Sequence, residues 1–209
     1  MKNEISENCS DAVNYISKNF NGKIGVCGAS LGGFVTLYLG LSDKKVKSIA
    51  CQNPTILNDK EWRGMLDKKA NGNLHNLELL LAMFSEKMFP TITRINDDSF
   101  TETDLERKYF KKSFVDPNTQ KDYTGRAILS QTTTPPPRPL KELKIPTMFL
   151  APSNDTVLMP LSYLKSLKDR LPSNIKKRIV KVNGGHWWMH SHPEEAAKVL
   201  CDWFDETLK

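Results

Sequence analysis

The sequence lacks the features that mark membrane, secreted and metal-binding proteins. No apolar run approaches the roughly 20 residues that a membrane-spanning helix needs, and residues 1–5 lack the apolar core of a signal peptide. The 4 cysteines lie far apart and form no Cys-x-x-Cys pair, so no disulfide framework or zinc site is indicated. We therefore expect a cytoplasmic protein with reduced, buried thiols and no cofactor.

Positive charge is in slight excess, but it is not clustered. The chain has 30 lysines and arginines against 24 acidic residues, which gives a formal net charge of +6. The densest basic runs, residues 44–47 and 176–178, abut predicted strands, where loops are normally solvated. A nucleic-acid site would cluster such charges or interleave them with aromatic side chains. The sequence therefore argues against a nucleic-acid partner.

Hydrophobic periodicity predicts an α/β fold with a mostly parallel sheet flanked by helices. Strand, helix and strand follow one another with short joints, as in a parallel α/β unit. The predicted helices cover residues 5–20, a stretch from Leu31 onwards, 159–171 and 193–208, and the predicted strands cover 24–27, 46–51, 147–151 and 178–182. Residues 1–53 and 141–209 together form the predicted core.

Residues 54–140 interrupt this pattern and predict a helical lid. The segment is charged and poor in strand signals, and its best predicted helices cover 73–89 and 102–112. An insertion of this size between two sheet strands is most simply placed over the strand ends. Residues 132–139 are rich in proline, so they predict a stiff connection back to the sheet or, alternatively, a ligand for a proline-recognising module.

The most informative stretch is Gly-Ala-Ser-Leu-Gly-Gly at residues 28–33, between a predicted strand and a predicted helix. This context favours a nucleophile elbow, a tight turn that lifts the Ser30 hydroxyl clear of the sheet. Gly28 and Gly32 are expected there because a Cβ would clash where strand and helix pass closely. The alternative is that Ser30 only caps the helix.

Two further candidates follow predicted strands downstream. Asp155 lies in the loop after one strand, where sheet enzymes hold catalytic carboxylates, although an aspartate there can also simply form the turn. His186 follows a Gly-Gly loop at another strand end, a poor place for a core histidine. His190 and His192 raise the alternative of a metal cluster, but no second ligand group stands at a recognisable spacing, so no metal is predicted.

Three motifs in this order resemble the α/β-hydrolase superfamily: residues 28–33, 153–157 and 184–187. The resemblance covers most of the chain outside residues 54–140. It implies a serine hydrolase, esterase-like, that acts on a small-molecule ester, thioester or related acyl substrate. Ser30 would be the nucleophile, His186 the general base, Asp155 the residue that orients the histidine, and the Leu31 N–H an oxyanion donor.

Three more residues are candidate contacts for this substrate. Ala29 precedes the serine, Trp187 suggests an aromatic wall beside the histidine, and Asn53 ends the second predicted strand.

The chain departs from the superfamily pattern before Ser30. Such proteins normally place four strands and a second oxyanion loop there, whereas this sequence has one helix and one strand. The elbow strand is therefore expected to be an open edge, which another copy, a second polypeptide or an unusual placement of residues 1–20 should cover. Losing one oxyanion donor costs about 3–4 kcal/mol of transition-state stabilisation, which predicts weak turnover. The alternative function is a non-catalytic hydrolase-fold protein that binds a ligand or partner through its lid and sheet edge.

Overall fold

A parallel sheet flanked by helices forms the centre of the chain. The structure is a computed structural model that describes residues 4–56, 58–69, 71–72, 92–94, 101, 103–115, 122–124, 135–155 and 159–209. The described strands are β1 (Ile24–Ala29), β2 (Val46–Gln52), β3 (Ile92–Arg94), β4 (Asp122–Thr124), β5 (Thr147–Pro152) and β6 (Lys177–Val182). The described helices are α1 (Glu4–Asn19), α2 (Leu31–Ser42), α3 (Lys60–Lys69), α4 (Asp104–Phe114), α5 (Leu161–Asp169), α6 (Trp188–Ser191) and α7 (Pro193–Thr207).

The main sheet has the strand order β1-β2-β5-β6, and all its strands are parallel. Ala29 pairs with Gln52, and Pro152 pairs with Val182, so the strands end at the same edge. The loops that follow β1, β2, β5 and β6 therefore meet there, where parallel α/β sheets bind ligands. Among the described strands, β1 is an outer strand and pairs only with β2.

The two central strands are buried almost completely. Ile49, Ala50 and Cys51 of β2 are 0% exposed, as is Phe149 of β5. Continuous burial of this kind is typical of parallel strands that are covered on both faces. The apolar runs that predict these strands are thus explained by packing on both sides of the sheet.

The C-terminal helix α7 packs on the sheet as its sequence predicts. Ala196 and Trp203 are 3% and 1% exposed and belong to one core cluster with Met148 of β5. The Trp203 Nε1–H also donates to Ile49 O at 3.1 Å, which satisfies the indole where it is buried.

Helix α1 confirms the predicted helix, but its apolar stripe is only partly buried. Val13 is 4% exposed, whereas Ile16 is 41% exposed and Phe20, just beyond the helix, is 63% exposed. The three- and four-residue spacing therefore identifies the helix correctly and overstates the area that it buries.

The chain divides into two compact units. One comprises Met1–Thr55, Phe100–Glu106 and Pro136–Lys209, and the other comprises Ile56–Ser99 and Arg107–Pro135. Residues 100–106 of the predicted lid thus belong to the first unit.

Within the predicted lid, α4 agrees with the expected helix over residues 102–112, and the predicted helix over 73–89 lies outside the described residues. The sequence analysis missed α3. It also missed an antiparallel pair, β3 and β4, of 3 residues each.

The thiols differ from the expectation that they are buried. All 4 cysteines are free, but Cys27 and Cys201 are exposed and only Cys51 is fully buried. Cys27 lies on β1, the outermost of the described strands, and its side chain remains exposed there. In the described part of the chain, no helix is both long enough and apolar enough to cross a membrane.

Candidate active site

Ser30 lies on a sharp turn between β1 and α2. Its backbone angles are φ 55° and ψ −119°, a conformation that costs a non-glycine residue roughly 1–3 kcal/mol. The Ser30 N–H donates to Gln52 O at 2.9 Å, and Ser30 O accepts from the N–H groups of Phe34 and Thr55 at 3.1 and 3.2 Å. The Ser30 hydroxyl makes no capping hydrogen bond to α2, so the interpretation of this serine as a helix cap is wrong.

Two glycines make room for the turn, and the sequence analysis identified one of them. A Cβ on Gly28 would lie 2.4 Å from Gly32 O, and a Cβ on Gly33 would lie 2.9 Å from Gln52 O. A Cβ on Gly32 would meet nothing within 4 Å. The prediction for Gly28 is confirmed and the one for Gly32 is wrong, because the backbone of Gly32 fills the space that Gly28 leaves open.

Asp155 lies in the loop after β5 and is 2% exposed. The Ser153 N–H donates to Val182 O at 2.9 Å and ties this loop to the end of β6. Asp155 Oδ1 accepts from the Met159 N–H at 3.3 Å. Oδ1 thus takes part in the local turn, which agrees with the interpretation of this aspartate as a turn residue. The other oxygen, Oδ2, makes separate contacts.

His186 follows β6 and is bound to this carboxylate. The Nδ1 of His186 lies 2.7 Å from Asp155 Oδ2, and both side chains are at most 2% exposed. A carboxylate only accepts hydrogen bonds, so the short contact assigns the proton to Nδ1 and leaves Nε2 as the basic nitrogen. The structure therefore brings two of the three predicted triad residues together.

Residues 52–55, the last residue of β2 and the loop after it, contact all three candidate residues. Gln52 O accepts from the Ser30 N–H at 2.9 Å, and Gln52 Nε2 donates to His186 O at 2.6 Å. The next residue, Asn53, donates from Nδ2 to Asp155 Oδ2 at 2.5 Å. Three of these four residues, Gln52, Asn53 and Thr55, thus bind the backbone of the candidate nucleophile, the backbone of the candidate base and the carboxylate.

Ser30 and His186 are not hydrogen-bonded to each other. Among the described residues, no hydrogen bond joins Ser30 Oγ to the imidazole. Catalytic hydrogen bonds are often long or poorly aligned without substrate and shorten when substrate binds. Ser30 and His186 therefore stay the candidate nucleophile and base.

The backbone after the histidine is held by a buried glutamate that the sequence analysis missed. The Trp187 N–H donates to Glu106 Oε1 at 2.9 Å, and Glu106 is 0% exposed. The Trp187 ring lies edge-on to the His186 ring, with centroids 5.5 Å apart. In the sequence Glu106 looks like one charge among many on a solvated helix, so no pattern indicates its burial.

Ala29 and Leu31 flank the serine as the elbow requires. Ala29 is the last residue of β1 and pairs with Gln52 of β2. Leu31 is the first residue of α2, so its N–H belongs to the turn that has no intrahelical acceptor. Such N–H groups carry the positive end of the helix dipole.

His190 and His192 follow the candidate base closely in the sequence and form no second site among the described residues. Desolvation, and then repulsion from His186, lowers the pKa of His190, whose ring lies 5.5 Å from that of Trp187. His192 precedes α7 but makes no side-chain cap, since its Nδ1 contacts Ser191 Oγ at 2.9 Å. Within the described residues no group of His, Cys, Asp and Glu could hold a metal ion.

A parallel sheet with a serine on a strained strand-to-helix turn defines the class of α/β proteins that have a nucleophile elbow. The family model described as "alpha/beta hydrolase fold" matches residues 13–193. The chain belongs to this family.

Several solved structures share this fold at low sequence identity to the chain. A monoacylglycerol lipase from Paleococcus ferrophilus has a TM-score of 0.67 at 13% identity, and the match covers 96% of this chain and 73% of the lipase. A thermophilic esterase from Thermogutta terrifontis gives 0.63 at 15%, covering 98% and 72%. A hypothetical protein from Pseudomonas aeruginosa gives 0.69 at 18%, covering 97% and 67%. No curated protein matches the chain.

Proposed function

We propose that the protein is a serine hydrolase that cleaves a carboxylic ester, thioester or related acyl substrate through an acyl-enzyme. One observation carries the proposal: the loop over residues 52–55 is hydrogen-bonded to Ser30, His186 and Asp155 at the same edge of the sheet. A scaffold without chemistry does not need a strained serine and a buried His–Asp pair on one anchor.

The proposed roles are those of a Ser-His-Asp triad. Ser30 Oγ attacks the acyl carbonyl carbon while His186 Nε2 takes its proton, and the histidine then returns the proton to the leaving group. Asp155 holds the Nδ1–H and stabilises the imidazolium. Water attacks the acyl-enzyme with the same histidine as base, which releases the acid and restores Ser30.

The developing oxyanion is stabilised by the N–H of Leu31. This group follows the nucleophile at the start of α2, where backbone N–H groups have no intrahelical partner and the helix dipole favours negative charge. Removing one such donor in other enzymes reduces kcat by roughly a hundredfold to a thousandfold.

The substrate is a small acyl compound, and three residues are proposed to contact it. Ala29 and Trp187 flank the nucleophile and the base in the sequence, and Asn53 lies on the shared anchor. Two of the similar structures are a monoacylglycerol lipase and an esterase, which supports ester chemistry. We further propose that residues 54–140 serve as the lid, and that the protein works in the cytoplasm without a cofactor.

A fluorophosphonate probe tests the proposal, because it reacts covalently only with an activated serine. The full chain should be labelled, Ser30→Ala should abolish labelling, and His186→Gln should reduce it at least a hundredfold. Ser42→Ala is the matched control, since Ser42 lies exposed at the other end of α2. Labelling that persists in Ser30→Ala would contradict the proposal, and so would a folded wild-type chain that is not labelled.

A folded chain that is not labelled would favour the second hypothesis, a non-catalytic binding protein. The observation in its favour is the outer position of β1 among the described strands, an edge with which another copy or a second polypeptide could pair. Light scattering on the purified chain separates a monomer from a self-assembled species.

A further inference from the structure

Asn53 makes an unusual contact for a residue in a turn. Its backbone has φ 43°, its side chain is 0% exposed, and its Nδ2 lies 2.5 Å from Asp155 Oδ2. The same carboxylate oxygen accepts the hydrogen bond from His186 Nδ1 at 2.7 Å. One oxygen thus receives two donors. They follow β2 and β6, the strands on either side of β5.

The contact is more than the turn requires. Glycine and asparagine both reach a left-handed backbone conformation readily, so the turn accounts for an asparagine but not for the burial of its amide. The other side-chain atom, Asn53 Oδ1, is buried without a hydrogen-bond partner in the described part of the chain, which is unfavourable. The gain that balances both costs is the charge-assisted hydrogen bond to the carboxylate.

Geometry explains what this bond does for the pair. Asp155 Oδ1 is fixed by the Met159 N–H and Oδ2 by Asn53, so neither oxygen can rotate away from the imidazole. Orientation of the carboxylate then fixes the ring and the direction of its Nε2. A second anchor of this kind matters because small displacements of a base reduce the reaction rate strongly.

We propose that Asn53 is a positioning residue that holds the Asp155 carboxylate in the orientation that binds His186 Nδ1. The inference deepens the proposed hydrolase function, on which its kinetic consequence rests, but the orientation itself exists without substrate. Asn53 therefore acts through Asp155, in addition to any contact that it makes with an acyl group.

The variant Asn53→Gly removes the amide and keeps the positive φ that glycine tolerates. Proton NMR of the substrate-free full chain observes the Nδ1–H of His186 directly, and only 4 histidines need to be assigned. In the wild type this proton should give a low-field resonance that exchanges slowly with water. In Asn53→Gly it should move upfield or broaden, while the fold persists by circular dichroism.

Asn71→Gly is the matched control, because Asn71 also has a positive φ, 52°, and lies in an exposed turn. It should leave the histidine resonance unchanged. If hydrolysis of p-nitrophenyl acetate is detectable, Asn53→Gly should lower kcat about tenfold to a hundredfold with little change in KM, and Asn71→Gly should not.

An unchanged Nδ1–H resonance in folded Asn53→Gly would overturn the proposal, even in a chain that hydrolyses nothing. Inactivity with the expected NMR change would instead contradict only the proposed function. Should Asn53→Gly fail to fold, the side-chain amide of Asn53 in the ¹⁵N-labelled wild type decides. Slow exchange of its protons supports the contact with Asp155, and fast exchange overturns it.

Discussion

Gln52 offers the sharpest test of how the candidate site is held. Its side chain donates from Nε2 to His186 O at 2.6 Å and accepts at Oε1 from the Met189 N–H at 2.9 Å, and it is 0% exposed. Gln52→Met preserves the length and shape of the side chain but removes both bonds. A buried carbonyl and a partly buried N–H then lose these bonds.

Each of these groups should destabilise the folded state by about 1–3 kcal/mol, so the expected loss in the free energy of unfolding is about 2–6 kcal/mol. Urea unfolding, followed by tryptophan fluorescence and by circular dichroism, measures it. The two probes are compared because a chain of two compact units can unfold in more than one step. The fluorophosphonate probe should also react more slowly, since the backbone of His186 is no longer fixed.

Asn19→Ala is the control for this substitution. Asn19 Nδ2 donates to Tyr15 O at 2.8 Å on an exposed part of α1, where water replaces the lost bond, so the change should stay within about 0.5 kcal/mol. A loss below about 1 kcal/mol in Gln52→Met would refute the reasoning, because the loop around His186 would then be held by something else.

Two further predictions concern the elbow and the acid side of the stability profile. Gly28→Ala should lower the free energy of unfolding by about 1–3 kcal/mol, measured by urea unfolding. Gly32→Ala should be neutral or raise it by up to about 1 kcal/mol. Equal effects of the two substitutions would contradict the clash at Gly28. The folded-state pKa of His190 is lowered, so the unfolded chain binds more protons and stability should fall as the pH drops below about 6.5. His190→Gln should flatten this pH dependence, modestly since His190 is exposed, and an unchanged slope would assign it to other groups.

The sequence predicted the sheet and the elbow because both depend on local patterns. Apolar runs mark β2 and β5, which are buried on both faces, and a serine between glycines marks the turn after β1. Among the described strands β1 is outermost, as expected from the departure of this sequence from the family pattern before Ser30.

What the sequence could not predict depends on contacts between distant residues. Nothing near Glu106 indicates that its carboxylate binds the Trp187 N–H 81 positions away. Gln52 lies just after the predicted strand over residues 46–51 and carries no signal of its own, although its side chain bonds to residues 186 and 189. Asn53 was recognised as a candidate by its position, but its contact with Asp155 follows only from the fold.

The wrong expectation at Gly32 has the same origin. Gly28 and Gly32 look equivalent in the sequence, yet of these two only Gly28 faces another backbone. The second close approach occurs at Gly33, which faces the end of β2. The exposed end of the α1 apolar stripe has a related cause, because periodicity defines an apolar face but not the surface that covers it.

The position of Gln52 has a consequence for how the protein opens. Amide protons exchange with solvent when their hydrogen bonds break, and those in a central strand are released only by nearly global unfolding. The backbone N–H groups of Ser30 and Met189 both donate to Gln52, at the end of an almost completely buried strand. We expect them to exchange as slowly as the sheet core, so that on heating the candidate site should persist until the whole first unit melts.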